Sequence, residues 1–372
     1  MPNTLVDGTG PTQHAFPVPP QKTLPDGGED PTETPPSDPA VNKKKTRGSW
    51  MYILIGGLLF MSVAGPLAFY FVVWRYRPTA LMHIPRGTNA ALRFDGRELY
   101  LYEPFRTHVL GAFDDAANKA GRADRLKKHT GLDVRKDIRE VIFATSFGDT
   151  WVVLVGGNFS SRAKTKFTLG LSKFLDEEGV PGFKRREDGV LAGPLYVAQA
   201  DDSAIIIANS EETLGRCMEP NETYQDLGLA SSGAMSFVID RPVFEAATGP
   251  NSMVKGSPFG SFGSVLEAAS QTEKMTGHLA LGKDVEFLLD ITPTRGSTPE
   301  GLSKEYENVQ SQARLASMFF LPDFGGLTEV ALNAKIKPRA KSVMVEAPWE
   351  RKKFDAFLER VGKTIREAFS AP

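Results

Sequence analysis

This sequence predicts an α+β fold with helices on mostly antiparallel sheet, built as two similar halves and preceded by one transmembrane helix. Three observations lead there. Residues 50–74, WMYILIGGLLFMSVAGPLAFYFVVW, form an apolar run without a charge. After Pro78, stretches of period two alternate with stretches of period 3.6, and the β-rich stretches come in pairs split by short turn signals. The order strand, helix, hairpin, helix, hairpin, helix then recurs at an offset of about 137 residues.

The apolar run is long enough to cross a bilayer, since roughly 20 helical residues span the hydrocarbon core. Trp50 and Trp74 stand at its ends with Tyr52, Tyr70 and Tyr76 close by, the pattern of an interfacial aromatic belt. Gly65-Pro66 predicts a kink inside it. The polar stretch before it is far too long for a signal peptide's n-region, so it reads as an uncleaved signal anchor. Lys43, Lys44, Lys45 and Arg47 crowd its N-terminal flank, against Arg75 and Arg77 on the other side. The tighter basic cluster places the N-terminus in the cytoplasm and the body outside the inner (cytoplasmic) membrane. The same four side chains are candidate contacts for anionic lipid headgroups of the bilayer.

Residues 1–49 form a Pro-rich tail; positions 1–42 hold ten prolines and almost no large apolar residues. Such a segment buries too little surface to offset its ordering entropy, so disorder is expected. The net charge of −1 offers no electrostatic ground for a nucleic-acid partner. The single cysteine, Cys217, excludes an intrachain disulfide framework and reads as a small buried hydrophobe.

The body divides into α+β halves at 78–220 and 232–372. In the first, 91–102 reads as a strand pair turning at Asp95-Gly96. A helical stripe follows on Phe105, Val109, Phe113, Ala116, Ala120 and Ala123, ending at Gly131. Residues 139–157 form a hairpin through Gly148-Asp149. A helix striped by Phe167, Leu171, Phe174 and Leu175 comes next, then a hairpin at 195–208 and a short helix capped by Asn209 or Ser210. In the second, a strand at 234–240 precedes a helix lined by Phe259, Phe262, Val265, Leu266 and Ala269. A hairpin at 276–292 and a long helix from Thr298-Pro299 follow. Val330, Leu332, Ala334 and Ile336 alternate as a strand that pairs with 342–346, and a last helix starts near Pro348.

Motifs that carry chemistry are sparse. The histidines have no metal-ligand spacing, and neither a phosphate-binding loop nor a nucleophile elbow occurs, so no catalytic, cofactor-binding or metal residue is assigned. Ser161-Arg162-Ala163-Lys164 fits a Ser-x-x-Lys nucleophile motif but lacks its companions and reads as a helix cap. Asp114-Asp115 and Asp201-Asp202 are sequence neighbours that do not face one another, and the second pair occupies a turn. The stretch 245–264 is a long Gly- and Ser-rich loop whose Phe259 and Phe262 are candidate partner contacts, or else the start of a buried stripe.

The segment TGLDVRKDIREVIFATSFGDTWVVLVGGNF (130–159), with IIANSEETL further on, resembles uncharacterised single-pass envelope proteins of the delta-proteobacterial type. The resemblance covers about 80–220 and implies an extracytoplasmic α+β domain without a known activity. The expected role is therefore non-catalytic: a membrane-anchored binding or scaffolding protein whose partner is an envelope protein, glycan or lipid. A membrane-tethered hydrolase with a dispersed site and a cytoplasm-facing membrane adaptor are the alternatives.

Overall fold

The computed structural model describes residues 79–118, 121–146, 150–159, 164–249, 263–317 and 327–370. The tail, the basic cluster Lys43, Lys44, Lys45 and Arg47, the apolar run at 50–74, Ser161, and Phe259 with Phe262 lie outside these residues. Among the described residues no helix is long and apolar enough to cross a membrane. All of them belong to one compact unit, Ala68–Pro372.

A 3-10 turn at Thr79–His83 leads into β1 (Ala90–Asp95), α1 (Gly96–Leu101), a π-helical turn (Phe105–Leu110), α2 (Gly111–Asn118), α3 (Arg122–Thr130) and α4 (Val134–Asp137). The hairpin β2 (Ile138–Ser146) and β3 (Thr150–Gly157) precedes α5 (Lys164–Glu177), β4 (Lys184–Arg185), β5 (Leu191–Ala192), β6 (Tyr196–Gln199), β7 (Ala204–Ala208), α6 (Glu211–Met218) and α7 (Thr223–Leu227). Then come β8 (Met235–Asp240), α8 (Arg241–Thr248), α9 (Gly263–Ser270), β9 (Thr272–Leu281), β10 (Val285–Pro293) and α10 (Pro299–Ser317). The chain closes with α11 (Leu327–Leu332), β11 (Lys335–Pro338), β12 (Val343–Trp349) and α12 (Arg351–Ser370).

The fold is α+β: the twelve strands make one sheet in the order β11-β12-β10-β9-β8-β1-β2-β3-β7-β6-β5-β4. Every neighbouring pair is antiparallel. The two segments 78–220 and 232–372 thus share a sheet, joined where β1 pairs β8 with Leu92 opposite Phe237. Side chains alternate between the two faces. On one face Ile142, Leu154, Ile206 and Val238 are buried beneath the 3-10 turn, α6 and α7. On the other, Val197 and Ile205 meet Phe167 of α5. On that same face Leu279 and Ala347 meet Phe354 and Leu358 of α12, and Ile291 and Val345 meet Leu302 of α10.

Four expectations need correction. Residues 96–101 are helical, because β1 already has β2 on one side and β8 on the other and has no edge left for a hairpin mate. The Asp-Gly pair serves as a cap: Asp95 Oδ1 accepts from the Arg97 and Glu98 backbone N–H groups at 3.0 Å. The stripe from Phe105 breaks at the π-helical turn, where the Gly111 N–H donates to the Arg106 carbonyl, five residues back. The extra residue rotates the buried face, so Ala112 is buried and Phe113 is 45% exposed. Residues 245–248, expected in a loop, complete α8, where Arg241 bonds Glu245 one turn on and the carbonyls of Ser270 and Thr272. Residues 330–332, expected in a strand, end α11, and only 335–338 pair as β11.

The last strand runs on through Pro348, which pairs with Glu286, so the last helix starts at Arg351, while other boundaries follow the pattern read from the sequence. Gly131 closes α3 at φ 75°, its N–H donating to the Lys127 carbonyl. Ser210 caps α6 through the Thr213 N–H, and Thr298 caps α10 through the Gly301 N–H.

Candidate functional site

On the face that carries the long helices, a cavity of about 250 Å³ lies between α10, α11 and the strands β10, β12 and β11. Its floor follows from strand register: Leu289 pairs with Val345 and Val345 with Ile336, which puts all three on one face in one row. Phe287 and Ala347 form the next row. The roof is made by Tyr306, Val309 and Ala313 of α10 and by Val330 and Ala331 of α11.

The position of α11 is set by its own chain end. A helix leaves its last carbonyls without intrahelical partners. Side chains of α10 bind those around the end of α11: Gln310 Nε2 donates to the Ala331 and Ala334 carbonyls at 3.0 and 2.9 Å, and Arg314 donates to the Leu332 carbonyl at 2.6 Å. Lys353 of α12 pairs with Glu329 at 2.6 Å from the other side. The helix is held by its polar ends while its apolar flank faces the cavity.

The walls offer almost nothing to a polar ligand. Two of the lining side chains, Tyr306 and Gln310, carry polar groups; the Tyr306 hydroxyl and the Gln310 amide nitrogen are already engaged. Thr272 donates its hydroxyl to the Ala268 carbonyl at 2.7 Å, so the Tyr306 hydroxyl, 3.0 Å away, is the donor to Thr272. Burial raises the Tyr306 phenol above its ordinary range.

Two buried polar groupings elsewhere hold the fold. His83, 1% exposed, sets Nδ1 2.7 Å from the Cys217 carbonyl and Nε2 3.2 Å from Asp201 Oδ2. A carbonyl and an ionised carboxylate both only accept, so meeting both requires the doubly protonated ring. Asp201 Oδ1 accepts in turn from the Ser203 N–H and hydroxyl, each at 2.7 Å. Burial favours the neutral acid, but the bonds from His83 and Ser203 outweigh it and hold Asp201 well below the usual carboxylate range. In an acyl-transfer triad the imidazole stands between hydroxyl and carboxylate. Here the carboxylate stands between them, and Ser203 has its proton directed at Asp201.

The second grouping lies in the middle of the sheet. Arg93 Nε donates to Glu140 Oε2 at 2.7 Å and its terminal nitrogen to Asp95 Oδ2 at 2.8 Å, with Arg93 and Glu140 essentially inaccessible. The register that sets Asp95 opposite Glu140 brings both carboxylates to one guanidinium.

Of the residues singled out in the sequence, Cys217 is fully buried, and desolvation pushes its thiol up to about 12. Asp114-Asp115 sits on α2, and Asp201, partly exposed, bonds His83. Among the described residues no three His, Cys, Asp or Glu side chains gather to hold a metal ion. The cavity went unmarked by the sequence reading; its signal was the decline in side-chain size along α10, from Leu302 and Tyr306 to Val309 and Ala313. No family model, curated protein or solved structure matches the chain.

Proposed function

We propose that this is a membrane-anchored, extracytoplasmic binding or scaffolding protein that performs no reaction. The observation that carries the reading is the apolar cavity: the Tyr306 hydroxyl and the Gln310 amide nitrogen are engaged within the fold, and the walls otherwise suit retention of an apolar ligand rather than catalysis. The other charged groupings point the same way, since buried His83, Arg93 and Glu140 and partly exposed Asp201 are all tied to neighbours. The tether is the apolar run at 50–74, with Lys43, Lys44, Lys45 and Arg47 on the anionic cytoplasmic leaflet.

The body is, in this reading, one architecture used twice. Outward from the central pair, β1, β2, β3, β7 and β6 run on one side and β8, β9, β10, β12 and β11 on the other. Each half follows its hairpin with a long helix, α5 or α10, on the same face. The final helices differ: α6 packs on one face and α12 on the other.

The test is topological. Carbonate washing should leave the full-length chain in the membrane fraction, and a reporter active only outside the cytoplasm should be active at its C-terminus. Release by carbonate would refute the tether, and activity of a cytoplasm-only reporter would refute the orientation.

A further inference from the structure

We propose that the cavity under α10 and α11 is a binding site for an aliphatic hydrocarbon chain. This rests on the binding-protein reading and names the ligand class for the same site. Two independent observations carry it.

The first is the chemistry of the walls. Ordered water needs two to four polar partners, which apolar walls do not supply. The present pocket, of about 250 Å³, is lined by eleven apolar side chains and two polar ones; the Tyr306 hydroxyl is bonded to Thr272 and the Gln310 amide nitrogen to backbone carbonyls. A methylene chain asks for no partner and gains by leaving water. A glycan or peptide would have its own donors and acceptors stranded there.

The second is internal. Strand register relates the halves through the central pair, setting Val153 of β3 against Leu289 of β10 and Ile207 of β7 against Val345 of β12. Over Ile207 lies α5, and over Leu289 and Val345 lies α10. Aligned on their first buried residues, Phe167 and Leu302, the next sheet-facing positions are Leu171 and Leu175 on α5 but Tyr306 and Gln310 on α10. The flanking position is Phe174 on α5 and Val309 on α10. In the first half Leu171 and Leu175 pack into one cluster with Ile207. The second half lacks these leucines and turns Gln310 aside to hold α11.

The chain could come from a membrane lipid or from a free fatty acid, and the test separates them. Full-length protein in phosphatidylcholine vesicles is photolysed with either a diazirine-tailed phosphatidylcholine or a diazirine fatty acid, and adducts are mapped by mass spectrometry. Adducts on the cavity segments 306–313 and 330–336 are expected. Labelling by the phospholipid identifies a membrane lipid as the source; labelling by the fatty acid alone identifies a free chain. Val309→Phe should lower cavity labelling by about tenfold or more, the loss expected when two buried methylenes are excluded. Ala313→Leu is a milder second variant, and thermal melts verify that each is folded. Cavity labelling unchanged in both folded variants, or absent with both probes, overturns the site. Lipid adducts confined to 50–74 would overturn the cavity proposal and leave the tether standing. Cavity adducts without any at 50–74 would support the cavity and refute the tether.

Discussion

Glu140 is fully buried against Arg93, and the pair is intelligible only through strand register. The two residues lie 47 apart, with nothing local to join them, and meet because β1 and β2 align Asp95 with Glu140. Glu140→Ala leaves a buried guanidinium with Asp95 alone and should cost about 3–5 kcal/mol in urea melts, the range for breaking a buried pair from one side. A loss under 1 kcal/mol would mean that the pair is not desolvated. Asp201 predicts a pH effect. Its carboxyl is held below the ordinary value in the folded chain, so its contribution is present above about pH 4 and is lost as pH falls from there. Asp201→Asn should therefore lower Tm at pH 7 and converge with the parent protein as the solution is acidified; a Tm difference that stays constant down to pH 2 would contradict this. Cys217 shows what a single sequence does reveal: Leu214, one turn before it, shares its buried helical face, while Met218 beside it is exposed.

At the scale of elements, legibility tracked whether the deciding interaction was local. The hairpins β2–β3, β6–β7 and β9–β10 and the caps at Ser210 and Thr298 are specified within a few residues, and the sequence foretold them. The failures had distant causes. At 96–101 the competitor was β8, more than a hundred residues away, which occupies the edge a hairpin would have used. At 105–118 a π-helical turn displaced the apolar face, and that turn packs against α12, about 250 residues away. That crossing is close: a Cβ on Gly362 would stand 2.2 Å from the His108 carbonyl oxygen. Gly362→Ala should destabilise by about 1–3 kcal/mol despite alanine's higher helix propensity. Gly215, inside α6, has nothing within 4 Å of its virtual Cβ, and Gly215→Ala should stabilise by up to about 1 kcal/mol. Opposite signs in thermal melts are expected, and equal signs would show that the crossing at Gly362 relaxes freely.

Across the whole molecule, the decisive fact is that the halves meet through a strand pair rather than a linker. The outer edges of the sheet are guarded: β11 carries Lys335, Lys337 and Pro338, and β4 carries Lys184 and Arg185. The inner edges have no such protection. β8 reads Met-Ser-Phe-Val-Ile before its first charge at Asp240, and the one cation of β1, Arg93, is turned inward to Glu140. Separating the halves would expose two long, unguarded edges with Leu92 and Phe94 beside one and Phe237 beside the other. Segment 78–372 should therefore unfold in one cooperative transition, with fluorescence and circular dichroism coinciding. Segments 78–220 and 232–372 expressed alone should self-associate through β1 or β8, and co-expression should restore a soluble complex. A monomeric half with its own sharp transition would show that the β1–β8 pair is an interface between independent domains. The architecture argues otherwise, because Ala91 and Val238, opposed across that pair, lie in one buried cluster with Ile142 and Leu154. A core that runs through the joint cannot be completed by either half alone.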